Sequence, residues 1–290
     1  MSERPVVSIV VPAHNEEAVL AGNLARLLDG TAPGEFDVIV VPNACTDRTA
    51  EVAKEFAGRF DVRVVETPVP GKPNAIRIGD ELCRTFPRVY LDADVELSAA
   101  SVRALVAAAA RPGVLACAPV PELDLDGVGP VVRRVHRVHA QLIAPGRALA
   151  GVGVYVLTEA GHARVFPMPD VISDDGWVHG SFAPHERAVV PEARSLVRPA
   201  RTVRSYLNRR VRVRRGNRQL AALGRAAPEG RLRLRSLVDL VRSRRASPLD
   251  GGAYLAVLAL DRALTRLRRD AAWGSDASSR TVVPGPGHDG

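Results

Sequence analysis

The chain is short of several things, and each shortage removes a class of function. Only three of its 290 residues are cysteine (Cys45, Cys83 and Cys117), and no two of them form a CxxC pair. That excludes a disulfide framework and a thiolate zinc site, and it fits inert thiols in a reducing cytoplasm. No apolar run reaches the roughly 18 residues of a membrane span; the late candidate Ala253 to Leu260 is far too short. No basic region precedes the first apolar run of MSERPVVSIVVPAHNEE, so a secretory signal is not expected and a cytoplasmic protein is. Aromatics are only 4% of the chain and few interleave with its arginines, which disfavours stacking on nucleic-acid bases. The loop after the first apolar run, PAHNEE, lacks GxGxxG, which argues against a nicotinamide oxidoreductase on a Rossmann sheet.

What is present is ordinary in bulk and uneven in detail. With 46% apolar and 25% charged residues the chain is a soluble globular type, long enough for one large domain or two small ones. Its net charge is +8, yet sixteen arginines between Val197 and Arg245 face only Glu229 and Asp239. That segment alone carries +14, so the remainder is net acidic by six. Such a segment can meet phosphates of a nucleotide, a nucleic acid or a lipid headgroup. Beside it Leu234, Leu237, Val238 and Val241 recur at helical spacing. This stripe reads either as peripheral contact with an anionic membrane face or as packing on the body of the protein.

The first half alternates regularly. Short β-branched runs at Val6–Val11, Phe36–Val41, Val62–Val65, Arg88–Leu91 and Leu115–Val120 read as buried strands. Between them lie helical patterns, the first capped by Asn15, the next beginning at Thr46 or Asp47, another over Gly71–Arg84, and a last capped by Ser98. This predicts an α/β protein: a mainly parallel sheet with helices on both faces. After Pro121 the alternation stops. A helix over Val131–Ile143, a strand in GVGVYVL, an irregular stretch to Val190, an Arg-rich helix over Thr202–Leu223 and a helix over Ala253–Arg268 are expected. The division predicted is 1–120 for nucleotide binding, 121–223 for acceptor and catalysis, 224–276 as a helical extension, and 277–290 as a disordered tail.

The motifs fall at strand ends, where parallel sheets bind ligands. VSIVVPAHNEE, VIVVPNACTDRT, GKPNAIRIG, VYLDADVEL, GVGVYVLTEAG and VISDDGWV follow in that order. Together they resemble a family 2 glycosyltransferase of the GT-A (Rossmann-like) fold, over Val6 to about Asn217. The resemblance implies an inverting, metal-dependent enzyme that moves a sugar from a nucleotide-diphosphate donor to a sugar or lipid-linked acceptor. It implies Mn²⁺ or Mg²⁺ as cofactor and no nucleic-acid partner.

Residue by residue, the resemblance assigns Pro12, His14, Asn15, Glu16 and Asn43 to the base and ribose of the donor. Asn43 stands where the family often has an acidic residue, and His14 where Tyr is frequent. Asp92 and Asp94 project to the same side of a strand end and, as hard oxygen donors, suit Mg²⁺ or Mn²⁺. By resemblance Asp94 is the direct ligand, and Asp92 meets the ribose or a metal-bound water. Lys72, Arg212 and Arg215 are assigned to the donor phosphates, the two arginines lying in RRVRVRRG, a divergent form of the family's QxxRW-type motif. Asp174 and Asp175 are the acidic pair, with Asp175 the base for the acceptor hydroxyl; their repulsion raises one pKa. The pair also reads as a cap for a short helix from Gly176. Gly151, Gly153 and Trp177 are assigned to the acceptor, while the two glycines read equally well as a tight turn into a strand. His136 and His139 are i, i+3 on one helix but have no third ligand, so a core or surface role is expected; His179 stands four residues beyond the acidic pair. Two other readings stay open: a protein using its Arg-rich segment to bind nucleic acid or an anionic surface, and a non-catalytic pseudoenzyme on the same fold.

Overall fold

The computed structural model describes residues 5–143, 148–225 and 234–267. Eight strands form one sheet in the order β3-β2-β1-β4-β7-β6-β8-β5. In chain order they are β1 (Val7–Ala13), β2 (Phe36–Pro42), β3 (Val62–Val64), β4 (Arg88–Leu91), β5 (Val95–Leu97), β6 (Ala116–Leu123), β7 (Val154–Leu157) and β8 (Arg187–Val197). β1 pairs in parallel with β2 and β4, β2 with β3, and β6 with β8. β7 is antiparallel to β4 and β6, and β5 to β8.

Every residue of β1 and β2 is buried, because helices cover both faces of the sheet. Alternate side chains therefore enter different cores. Val7, Ile9 and Val11 pack with the helices α1 (Glu17–Leu28) and α4 (Ala99–Ala109). Val10 points the other way, toward Ile76 of α3 (Lys72–Glu81). The helix α2 (Thr49–Ala57) lies between β2 and β3 in the chain. A further apolar cluster joins α5 (Pro130–Ile143), α8 (Val203–Ala222), α9 (Leu234–Arg242) and α10 (Pro248–Leu267), through Val135, Tyr206, Leu237 and Tyr254. Two short helices, α6 (Glu159–Val165) and α7 (Asp174–His179), complete the second half. No helix among the described residues is long and apolar enough to cross a membrane.

Several sequence expectations change. The stretch before Val190 is not irregular to its end: Arg187–Val197 is β8, and β5 follows β4 almost at once. Asn15 does not cap α1; it sits at φ +55 and its Oδ1 accepts from the Thr46 amide (2.8 Å), so it ties the loop after β1 to the loop after β2. Ser98 caps α4 as expected, accepting from the Ser101 amide. The stripe beside the arginines turns inward at Leu237, which is buried with Leu240 in the α5–α8–α10 cluster, whereas Val238 is exposed. The expected tail 277–290, and residues 226–233 and 268–276 of the expected extension, lie outside the described residues.

Candidate active site

β1, β2 and β4 run in parallel, so the loops after Ala13, Pro42 and Leu91 share one edge of the sheet. β7 runs the other way, with Val154 opposite Leu91. That register brings the glycine turn before β7 to the same edge. The amide of Asp92 donates to the Gly153 carbonyl (2.9 Å). A Cβ at Gly153 would lie 2.6 Å from Val95 Cγ2, and its φ of +71 favours glycine further. Gly151, at φ +70, donates its amide to Asp175 Oδ2 at 2.5 Å. The two glycines expected to receive an acceptor sugar are thus engaged in holding the two acidic motifs side by side.

At the centre is an ammonium. Lys72, the first residue of α3, places Nζ 2.5 Å from Asp92 Oδ1 and 2.9 Å from Asp174 Oδ1. Burial pushes the lysine pKa down, but Asp174, Asp92 and Asp175 outweigh it and raise it, so the side chain stays charged. Burial raises the carboxyl of Asp92 above the usual range, with Asp94 adding to the effect and Lys72 opposing it. Asp174 is raised chiefly by burial, with Asp175 and Asp92 adding to it against Lys72. Asp175 goes the other way. Burial pushes it up, yet Lys72, the amides of Gly151 and Gly176 and the hydroxyl of Ser173 together hold it below the usual carboxylate range. The repulsion read from the sequence therefore adds to the rise of Asp174, and Asp175 is the carboxylate kept ionised.

The donor and catalytic residues named from the sequence divide into two sets. Lys72, Asp92, Asp94, Asp174 and Asp175 come together. Asn43 is at the same edge but buried at 4% exposure, and its amide is committed to backbone. Its Nδ2 donates to Ala13 O (2.7 Å) and its Oδ1 accepts from the Gly71 amide (3.2 Å). The proposed reading of a base edge by this side chain gives way to a clip joining β1, β2 and the start of α3. His14 donates from Nδ1 to Asn43 O (2.7 Å), and Glu16 is buried with its amide on Thr49 Oγ1 (2.8 Å). Pro12 lies within buried β1.

Other candidates lead elsewhere. Arg212 is exposed on α8 and makes no hydrogen bond or ion pair among the described residues. Its neighbours Arg210 and Arg214 grip Asp261 of α10 at 2.8 and 2.5 Å, and Arg215 is half-buried. Trp177 donates from Nε1 to Val165 O (3.3 Å), packs on the core under β4 and β7, and carries the Arg225 guanidinium 4.7 Å from its ring. These contacts fix the ring, which stays partly exposed two residues from Asp175. His136 is buried against Tyr206 with Nε2 on Ala200 O (2.8 Å), and burial lowers its pKa; His139 lies near the Tyr254 ring. His179 is buried against the Leu149 amide and Arg187.

Sequence reasoning missed the role of Ser173, whose hydroxyl donates to Asp175 Oδ1 (2.7 Å). The SDD spacing is its only signal. It also missed Tyr155, which lies in the charge field of Asp174 and Asp92 with its hydroxyl buried and unpartnered.

The donor set fits a hard divalent cation only in part. Asp94 makes no hydrogen bond or ion pair among the described residues, and buried Asp174 Oδ2 has no hydrogen-bond partner. Both are oxygens of the kind Mg²⁺ and Mn²⁺ take. Yet no group of three or more His, Cys, Asp or Glu among the described residues is arranged to hold a metal by itself. A cation here draws on one or two carboxylates and completes its shell from substrate and water.

Comparison with known proteins agrees with this architecture. Residues 8–143 match the family model of glycosyl transferase family 2. The chain is 35% identical over 85 residues to a probable glycosyltransferase, YdaM, of Bacillus subtilis, covering 27% of this chain and 20% of that protein. It is 30% identical over 138 residues to validoxylamine A glucosyltransferase of Streptomyces hygroscopicus subsp. limoneus, covering 42% and 30%. The matched parts therefore span at most about a third of those relatives. Among solved structures, a mannosyltransferase of Pyrobaculum calidifontis in complex with GDP-Man and Mn²⁺ superimposes with a TM-score of 0.60 at 19% identity, over 91% of this chain and 81% of that one. That likeness shows the GT-A fold read from the sequence.

Proposed function

We propose that this chain, with a family 2 glycosyltransferase segment on a GT-A fold, transfers a sugar from a nucleotide-diphosphate donor to an acceptor hydroxyl with inversion, assisted by Mn²⁺ or Mg²⁺. The observation that carries the reading is the meeting of Asp92, Lys72, Asp174 and Asp175 at the strand-end edge. These carboxylates come from motifs some eighty residues apart and pay a desolvation cost there, which a structural turn would not require.

In this reading Asp94 and Asp92 hold the cation. When bound, the metal offsets charge growing on the leaving diphosphate. Asp175 takes the proton of the attacking hydroxyl. Its three hydrogen-bond donors fix the carboxylate in one orientation and keep it ionised at neutral pH, although by lowering its pKa they also weaken it as a base. A single displacement needs only this one base, and the inverted product follows from attack opposite the leaving group. The acceptor we infer is a sugar or a lipid-linked saccharide; the exposed arginines of α8 support a partner that carries negative charge.

The experiment is a thermal-shift screen of UDP, GDP, TDP and their sugars, each with and without Mn²⁺. A donor that binds the native state raises the melting temperature by mass action. The reading expects at least one nucleotide diphosphate to stabilise the protein, and to do so more with Mn²⁺. No response to any of them would sink it and favour a non-catalytic protein.

A further inference from the structure

Of the forty basic residues in this chain only Lys54 and Lys72 are lysines; the rest are arginines. One of the two stands in the acidic cleft. Its position runs against two local preferences. It opens α3, where the helix dipole disfavours a cation. It is also only 26% exposed, where an ammonium loses hydration. Two carboxylates within 2.9 Å offset both costs. A lysine ammonium is a compact point charge, whereas an arginine fork is broad and planar. Among side chains the lysine comes nearest to a metal ion in the space it fills between two carboxylates.

We propose that Lys72 is the built-in counter-ion of the cleft, holding Asp92 and Asp174 together and keeping a divalent cation off both while no donor is bound. The ammonium is bonded to one oxygen of each carboxylate. Asp94, which makes no side-chain hydrogen bond or ion pair among the described residues, is left as the carboxylate open to metal. Metal then binds weakly until a diphosphate supplies the missing oxygens. Lys72 is on this view a positioning residue that makes metal binding depend on donor binding. The inference rests on the cleft being a metal and diphosphate site, but its test needs neither donor nor turnover.

The measurement is Mn²⁺ binding to donor-free protein, followed by the loss of the free-ion EPR signal. Lys72→Met should bind Mn²⁺ at least about tenfold more tightly than wild type, a lower bound because removing a unit positive charge roughly 4 Å from a dication is worth more than about tenfold even at the dielectric of water. Lys72→Arg keeps the charge and should bind Mn²⁺ as weakly as wild type. A folded Lys72→Met protein with unchanged or weaker Mn²⁺ affinity overturns the proposal, and so does a Lys72→Arg protein that gains affinity. If Lys72→Met fails to fold because its buried carboxylates lose their partner, Lys72→Met/Asp174→Asn relieves that charge. The double variant must then bind Mn²⁺ more tightly than Asp174→Asn alone; equal affinity would again reject the counter-ion role. Donor binding by wild type with Mn²⁺, measured separately, tests the parent reading.

Discussion

Two aspartates of the cleft are given distinct tasks by their partners, and substitution should separate them. Asp94 is uncommitted, so Asp94→Ala should leave the fold intact and remove the extra stabilisation that Mn²⁺ gives to a bound nucleotide diphosphate. A variant whose Mn²⁺-dependent shift persists would take Asp94 out of the metal site. Asp175 is held ionised by three donors, and its folded pKa lies below the usual value. Its stabilising contribution is thus fully present above the unfolded pKa of about 3.9 and is lost as pH falls through the lower folded value. Asp175→Asn should therefore lower the melting temperature at pH 7, with the difference from wild type shrinking below pH about 4. It should also cut turnover by roughly 10² or more with donor affinity nearly intact. Loss of donor binding instead would give Asp175 another role. Asp174, raised by burial, carries the opposite sign: its ionised form costs stability at neutral pH, and that cost is relieved on acidification. The sequence made both acidic motifs legible, because each is a local run beside an apolar strand. It could not reveal that Lys72 spans them, since the residues it joins lie 20 and 102 positions away.

Elements bring these side chains together, and α7 and α8 approach closely. Gly216 of α8 faces Ser173, whose Cβ would lie 3.1 Å from a Cβ added there, and Gly176 of α7 sits under Leu220 in the same way. The helices touch through glycine, so the start of α7, with its acidic pair, rests directly on α8. Gly216→Leu should push α7 away, costing about 1–3 kcal/mol of overpacking and lowering turnover more than donor affinity. An unchanged melting temperature and turnover would show that the contact does not position the pair. The strands were legible where they are central. Continuous runs such as VSIVV are buried on both faces and read without context. β5 has three residues, and β8 carries Pro191 and three charged residues and pairs with β6 across a register shift. Their identity as strands comes from partners far along the chain, not from local pattern. RRVRVRRG was legible as helix and as motif, and the family analogy pointed Arg212 and Arg215 at phosphate; what it could not show is that the intervening Arg210 and Arg214 are held by Asp261.

Across the whole molecule the charge is lopsided, and the fold decides how much of it faces solvent. Of the arginines between Val197 and Arg245, Arg198 is spent on Glu96, and Arg210 and Arg214 on Asp261. Arg204, Arg209, Arg212 and Arg218 of α8 remain exposed, with Val211 and Val213 among them. Leu237 and Leu240, which could have entered a bilayer, are buried. Attraction to an anionic surface is therefore expected to be mainly electrostatic, at about 1 kcal/mol per basic residue close to the headgroups, and weakened as salt shortens the screening length. In sedimentation with vesicles the protein should pellet with phosphatidylglycerol at low salt and return to the supernatant at high salt. It should ignore neutral vesicles throughout. Arg204→Glu/Arg209→Glu/Arg212→Glu should abolish pelleting without lowering the melting temperature, because these side chains are exposed. Protein that stays in the supernatant with anionic vesicles at low salt would remove the surface role and leave a freely diffusing acceptor as the better reading. Pelleting that survives high salt would mean that apolar residues insert instead. Exposed Leu249 and Leu255 of α10 would then be the first to substitute.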